Sequence, residues 1–256
     1  MNIVGIIPAR MGSSRFPGKP LAKISGKAMI YHVYFRSKMS KSLKDVYIAT
    51  CDKEIESYCH ANEMDVVMTS HKHERASDRT AEAMLKIEKM MGKKIDIVVM
   101  IQGDEPMLHP RMIDLAIKPM YKDRNITVVN LMGKLKDIQE HEDPHEVKVV
   151  VDKDDFALYF SREPIPSRKK GAKDIKMLKQ VCIIPFRRDF LLTFNRLKQT
   201  RLEIVESVDM LRLLESGYKV KMVYSSYETY SVDTAQDLRK VEKLMKRDEL
   251  VKKYNA

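Results

Sequence analysis

Tryptophan is absent from this 256-residue chain, and cysteine is scarce, occurring only as Cys51, Cys59 and Cys182. An odd number of cysteines with no C-x-x-C pair argues against a disulfide frame or a cysteine zinc site, and fits a reducing compartment. No G-x-G-x-x-G follows an apolar run, which counts against a dinucleotide-dependent oxidoreductase. No window approaches eighteen apolar residues, so no transmembrane helix is expected. The opening "MNIVGIIPAR" lacks the basic n-region and long apolar core of a signal peptide, and a soluble cytoplasmic protein is the expectation. Aromatics make up 7% of the residues, and no basic stretch is interleaved with them as a single-strand nucleic-acid binder would require. The net charge of +11 is carried largely by lysine in mixed-sign segments such as "DLRKVEKLMKRDELVKK". It reads as a solvated surface, with no nucleic-acid partner expected.

What the chain does contain is alternation. Apolar runs at 2–8, 45–50, 65–69 and 95–102 read as buried strands, with helical periodicity between them at 27–39, 53–63 and 77–91. That order implies a parallel sheet with helices on both faces. Further strands are expected at 126–132, 146–152, 179–186 and 219–226, with helices at 202–217 and from about Thr234. "SREPIPSRKKGAKDIKM" is the least regular piece and reads as a loop or arm.

The stretch "IIPARMGSSRFPGKPL" (6–21) resembles a P-loop without being one. Gly12 and Gly18 are too far apart, and Lys19 is followed by Pro20, which has no hydroxyl for a metal and biases Lys19 away from helical geometry. Arg10, Arg15 and Lys19 with two glycines and two serines still suit a polyanion such as a triphosphate.

Open α/β sheets bind ligands beyond the carboxyl ends of their strands. The first strand ends in the Arg10–Lys19 loop, the strand at 95–102 ends in "QGDEP" with Gln102 and Asp104, and "YETYSVDT" brings Asp233 to the end of another short apolar stretch. Asp104 suits either a cap on the following helix or a cation ligand. A magnesium ion on the triphosphate would need such carboxylates, since Pro20 cannot serve.

Six stretches decide between these classes: "IIPARMGSSRFPGKPLAKISGKAMIYHVY", "VVMIQGDEPML", "DPHEVKVVVDKDDFALYFSREPIP", "FRRDFL", "LEIVESVDMLRLLESG" and "VDTAQDLRKVE". In this order along nearly the whole chain, they resemble the 3-deoxy-manno-octulosonate (Kdo) cytidylyltransferases, the CMP-Kdo synthetases. The resemblance implies an α/β, Rossmann-like nucleotidyltransferase fold, with a mixed, mostly parallel sheet flanked by helices and a smaller dimerisation or lid portion. It implies one nucleotidyltransferase domain: a CTP-binding half over about 1–125, a sugar-binding and dimerisation part over about 126–225, and a C-terminal return over about 226–256. It implies a homodimer, and a reaction in which CTP and a sugar acid give CMP-sugar and pyrophosphate with Mg2+, for bacterial surface polysaccharide.

By matching positions, Arg10, Ser13, Arg15 and Lys19 would hold the triphosphate, and Pro8 and Ala9 would line the cytosine pocket. Ser77, Asp78, Arg79 and Gln102 would shape the nucleotide and sugar sites. Lys19, with Arg10 and Asp104, would form the catalytic set, and Asp104 and Asp233 would hold magnesium. Arg162, Glu203 and Glu206 would face the sugar.

Departures from the family pattern cluster on the sugar side. "HERASDR" puts Arg75 where the family has a small hydroxyl residue, and "QVCIIPFRR" puts Gln180, Cys182 and Ile184 where it has histidine, glycine and tyrosine. Lost hydroxyl and imidazole contacts alter discrimination between sugars. Kdo, an amino variant such as 8-amino-Kdo and a nonulosonic acid all stay open as acceptors. An inactive nucleotide-binding homologue is the non-enzyme alternative.

Overall fold

The computed structural model describes residues 1–12, 16–169 and 176–254. It forms two compact units, Met1–Asp114 with Thr229–Ala256, and Leu115–Glu228. Among the described residues, no helix is long and apolar enough to cross a membrane.

The first unit is built on four parallel strands: β1 (Ile3–Pro8), β2 (Asp45–Thr50), β3 (Val66–Met68) and β4 (Ile97–Ile101). Every residue of β1 and β4 is buried, as strands covered on both faces must be. Gly5 in β1 sits close under its neighbours: a Cβ there would lie 2.9 Å from Leu43 Cδ1, so that side chain would have to shift. The spatial order is β4-β1-β2-β3, with Ile3 opposite Ile97, Val4 opposite Asp45 and Ile48 opposite Val66. Helices α1 (Met29–Lys38), α2 (Lys53–Ala61) and α3 (Ala76–Met91) connect them. By the right-handed rule for parallel crossovers, this order assigns α1 and α2 to one face and the returning α3 to the other. The chain therefore reverses direction across the sheet between β1 and β4, where such sheets open a crevice for ligands.

The second unit carries a mixed sheet, ordered Lys221–Tyr224, Val129–Lys134, Leu178–Val181, Lys148–Val151, Ala157–Ser161. Its first pair is parallel and the others are antiparallel, so the parallel character of the fold is concentrated in the first unit. Two expected elements are divided. The apolar run at 179–186 breaks at Cys182 into Leu178–Val181 and Ile183–Arg187. The helical run at 202–217 becomes Arg201–Glu206 and Met210–Glu215, because Ser207 adopts the left-handed conformation (φ 52°) that ends a helix.

The C-terminal segment is tied back onto α1. Arg36 Nε donates to Tyr254 Oη at 3.0 Å, and His32 Nδ1 lies 3.0 Å from the same oxygen. His32 Nε2 lies 2.9 Å from the Ile24 carbonyl, which can only accept, so Nε2 carries the proton and the Tyr254 hydroxyl donates to Nδ1. This relay needs a neutral imidazole. Burial, with Arg36 and Lys27 nearby and against the Ile24 bond, lowers the His32 pKa to about 4. The unfolded chain takes up this proton near pH 6.5 and the folded chain only near 4. Stability is thus full above pH 6.5 and falls as pH drops through that window, by about 3 kcal/mol for this residue. In His32→Gln the fall in unfolding free energy between pH 6.5 and 4 should shrink by that amount. An unchanged fall in denaturant titrations would contradict the relay.

Candidate active site

The crevice between the carboxyl ends of β1 and β4 is a cavity of about 310 Å3, within the ~300–1,000 Å3 common for small-molecule sites. Pro8, Ala9, Arg10 and Gly12 line it from the end of β1, and Gln102, Gly103 and Asp104 from the end of β4. Lys19 and Pro20 contribute from the following loop, and Glu74, Arg75, Ala76 and Arg79 from the start of α3. Ala9 N–H donates to the Ala49 carbonyl at 2.9 Å, which fixes the chain as it leaves the sheet. Met11 N–H donates to Asp52 Oδ2 at 2.7 Å and anchors the outgoing loop to the end of β2.

Lys19 is delivered by a single turn of 3-10 helix, Lys19–Leu21, after a left-handed Gly18 (φ 73°). The expectation that Pro20 would hold Lys19 extended is corrected here, since proline fits the first positions of a helical turn. No α-helix follows directly: the chain makes the hairpin Lys23–Ile24 and Lys27–Ala28 before α1, so the lysine is not presented in P-loop fashion.

Lys19 Nζ donates to Asp104 Oδ2 at 2.8 Å and to Asp233 Oδ1 at 3.0 Å. Burial pushes the Lys19 pKa down, and the two carboxylates, Asp104 ahead of Asp233, override it and raise it above the ordinary value. The ammonium is therefore charged at any working pH. The Asp104 carboxylate turns to this lysine. Asp233 stands directly before the helix Ala235–Met245 and its Thr234 cap, and not at a strand end as expected. That helix is held against the lysine-side hairpin by a cluster of Ile24, Met29, Val232, Val241 and Met245.

A family model described as Cytidylyltransferase matches residues 4–250. The chain belongs to the cytidylyltransferase family. A 3-deoxy-manno-octulosonate cytidylyltransferase of Geotalea uraniireducens is 40% identical over 257 residues, covering 96% of this chain and 100% of that one. The enzyme of that name from Geobacter metallireducens is also 40% identical, covering 96% and 99%. A solved CMP:2-keto-3-deoxy-manno-octonic acid synthetase complexed with CTP superposes with a TM-score of 0.89 at 38% identity, covering 96% of this chain and 99% of that one.

Of the nucleotide-side candidates in this cytidylyltransferase, Pro8, Ala9, Arg10, Lys19, Arg79 and Gln102 line one cavity. Ser77 is buried in the first turn of α3. Ser13 and Arg15 lie outside the described residues. Of the sugar-side candidates, Arg75 and Gln102 line that cavity, and the others belong to the second unit, where each has partners of its own chain.

Arg162 donates from Nε to the Glu206 carbonyl at 2.7 Å and from Nη1 to the Pro144 carbonyl at 2.8 Å. The Glu206 carboxylate accepts from Arg162 N–H at 2.7 Å and from Ser161 Oγ at 2.9 Å. Gln180 Nε2 donates to Asn130 Oδ1 at 2.6 Å, and Ile184 is buried in the core. Glu203 is closed into a two-pronged bond with Arg212, at 2.8 and 2.6 Å, both side chains being buried. Removing one partner strands a buried charge. Glu203→Ala should therefore lower unfolding free energy by about 3–5 kcal/mol, a global loss that denaturant titration separates from a sugar-specific rise in KM. An unfolding midpoint equal to the wild type would rule out this structural role.

Sequence reasoning missed the device that holds the α3 side of the cavity. The Glu82 carboxylate accepts from Ser70 N–H at 2.9 Å, pairs with Lys86 at 2.8 Å and meets His73 Nε2, which also lines the cavity. Burial pushes the Glu82 carboxyl up, and Lys86, Ser70 and His73 outweigh that and bring it to about 2. Arg79, nearly fully buried, donates to Thr69 Oγ1 and the His73 carbonyl from the same helix. The only sequence signal was the proximity of His73 and Glu82 to the helix start, which fits many helices.

Proposed function

We propose that the chain transfers the cytidylyl group of CTP to the anomeric hydroxyl of a 3-deoxy-ulosonic sugar acid, Kdo or a close congener, and releases pyrophosphate. In this reading it acts in the cytoplasm as a homodimer and supplies bacterial surface polysaccharide synthesis. The observation that carries it is the meeting of Lys19 with Asp104 and Asp233 beside the β1–β4 crevice, in a chain of this family.

Arg10 and Lys19 hold the triphosphate, and the buried Pro8 and Ala9 offer an apolar wall to the cytosine. As the anomeric oxygen bonds to the α-phosphorus, the bond from that phosphorus to the bridging oxygen breaks. The electron pair leaves with pyrophosphate, and the hydroxyl proton passes to water. Charge gathers on the departing oxygens, where the Lys19 ammonium stabilises it. Such a reaction asks for positioning and charge neutralisation more than for a covalent nucleophile.

Asp104 and Asp233 fit a divalent cation, because their oxygens already converge on one positive charge at 2.8 and 3.0 Å. Magnesium is commonly held by one or two carboxylates with substrate phosphates completing its shell. When bound there it would neutralise triphosphate charge.

Pyrophosphate release tests the proposal with CTP, UTP and ATP, each against Kdo, 8-amino-Kdo and nonulosonic acids. Release is expected with CTP and an octulosonic acid. CTP binding with no release from any acceptor would leave an inactive nucleotide-binding homologue.

A further inference from the structure

The carboxylate pair assigned above to magnesium is already gripping a cation, and what assembles the pair is separate from that cation. Val232 N–H donates to the Asp104 carbonyl at 2.9 Å, so the two aspartate-bearing segments are joined through their backbones. Asp233 N–H lies 3.2 Å from Asp237 Oδ2, and the Thr234–Asp237 capping box fixes the helix that follows. The Lys19 backbone is fixed as well, with its N–H on the Phe16 carbonyl and its carbonyl accepting from Ala22 N–H, both at 3.1 Å. With these backbones fixed, the lysine side chain can still swing, as a flexible stem ending in a compact point charge. It is partly exposed, at 14%, as are Asp104 at 28% and Asp233 at 21%.

Two carboxylates and one ammonium leave a single negative charge. A divalent ion entering the pair would stand within a few ångströms of the ammonium, and like charges at that range repel. We infer that Lys19 and the divalent cation compete for the Asp104–Asp233 pair: Lys19 is stored there in the free protein and is handed to the triphosphate when the cation takes its place. The inference rests on the metal assignment above. It adds that cation and nucleotide binding are coupled through one side chain, since a triphosphate that draws Lys19 away opens the pair to the cation, and the reverse must hold equally.

The test is Mn2+ titration of the full chain without nucleotide, following free Mn2+ by electron paramagnetic resonance, with circular dichroism to confirm folding. Lys19→Met should bind Mn2+ about tenfold more tightly than the wild type, the scale expected from removing two partly exposed competing ion pairs. Lys19→Arg, which keeps the charge, should stay within about threefold of the wild type. Adding CTP should tighten Mn2+ binding to the wild type more than to Lys19→Met. Equal or weaker Mn2+ affinity in Lys19→Met, or equal tightening in Lys19→Arg, would overturn the exchange and leave the metal site standing. If Asp233→Asn in the Lys19→Met background left Mn2+ affinity unchanged, the metal assignment itself would fall.

Discussion

Lys19→Ala should lower kcat by about two to three orders of magnitude, the usual loss on deleting one preorganised stabiliser of transition-state charge. The fold should survive, because the Lys19 turn is held by its backbone bonds to Phe16 and Ala22. The aspartate segments stay joined through Val232 N–H and the Asp104 carbonyl. The effect should fall mainly on kcat, since charge develops on the leaving pyrophosphate as the bond breaks, whereas Arg10 remains to bind ground-state CTP. Steady-state pyrophosphate release beside a thermal melt makes the distinction. Full turnover would remove Lys19 from the mechanism, and a collapsed melt would show that its contribution is structural.

The parallel half of the fold was legible because β1 and β4 are buried on both faces and so read as continuous apolar runs. The crevice was legible because candidate ligand residues were sought after strand ends, where Arg10 and Asp104 do line it. The meeting point itself was not derivable from spacing, since Lys19 lies 85 residues from Asp104 and 214 from Asp233. Strand-end reasoning pointed to each of the three separately, family resemblance gave them roles, and tertiary packing unites them. Boundaries failed where a single residue broke periodicity: Cys182 divides one apolar run, and Ser207 turns a helix through a left-handed conformation unusual for a residue with a side chain. Arg162, Glu203, Glu206 and Gln180 show the opposite limit. Motif matching proposes a ligand for each, whereas local chemistry supplies carbonyl, guanidinium, hydroxyl or amide partners inside the unit. The His32–Tyr254 contact, 222 residues apart, left no pattern at all.

Asp104→Asn and Asp233→Asn should each cut turnover by at least about a hundredfold, comparable to losing a charged stabiliser in a preorganised site. Asparagine keeps the size and one oxygen of aspartate, so packing and the Val232–Asp104 backbone bond should be retained. What disappears is the charge that both Lys19 and a divalent cation require. The single mutants should therefore differ from Lys19→Ala in one respect. Raising magnesium should partly restore at least one of them, because the remaining carboxylate and the triphosphate still form a weaker site, whereas Lys19→Ala should gain no such rescue. Each mutant should show a magnesium dependence shifted to higher concentration in pyrophosphate-release assays, with an unfolding midpoint close to the wild type. Wild-type turnover in thorough chelator, or an unshifted magnesium dependence in both mutants, would sink the assignment of Asp104 and Asp233 as metal ligands. The two aspartates would then act only by holding Lys19, and the double mutant with Lys19→Ala would be no worse than Lys19→Ala alone.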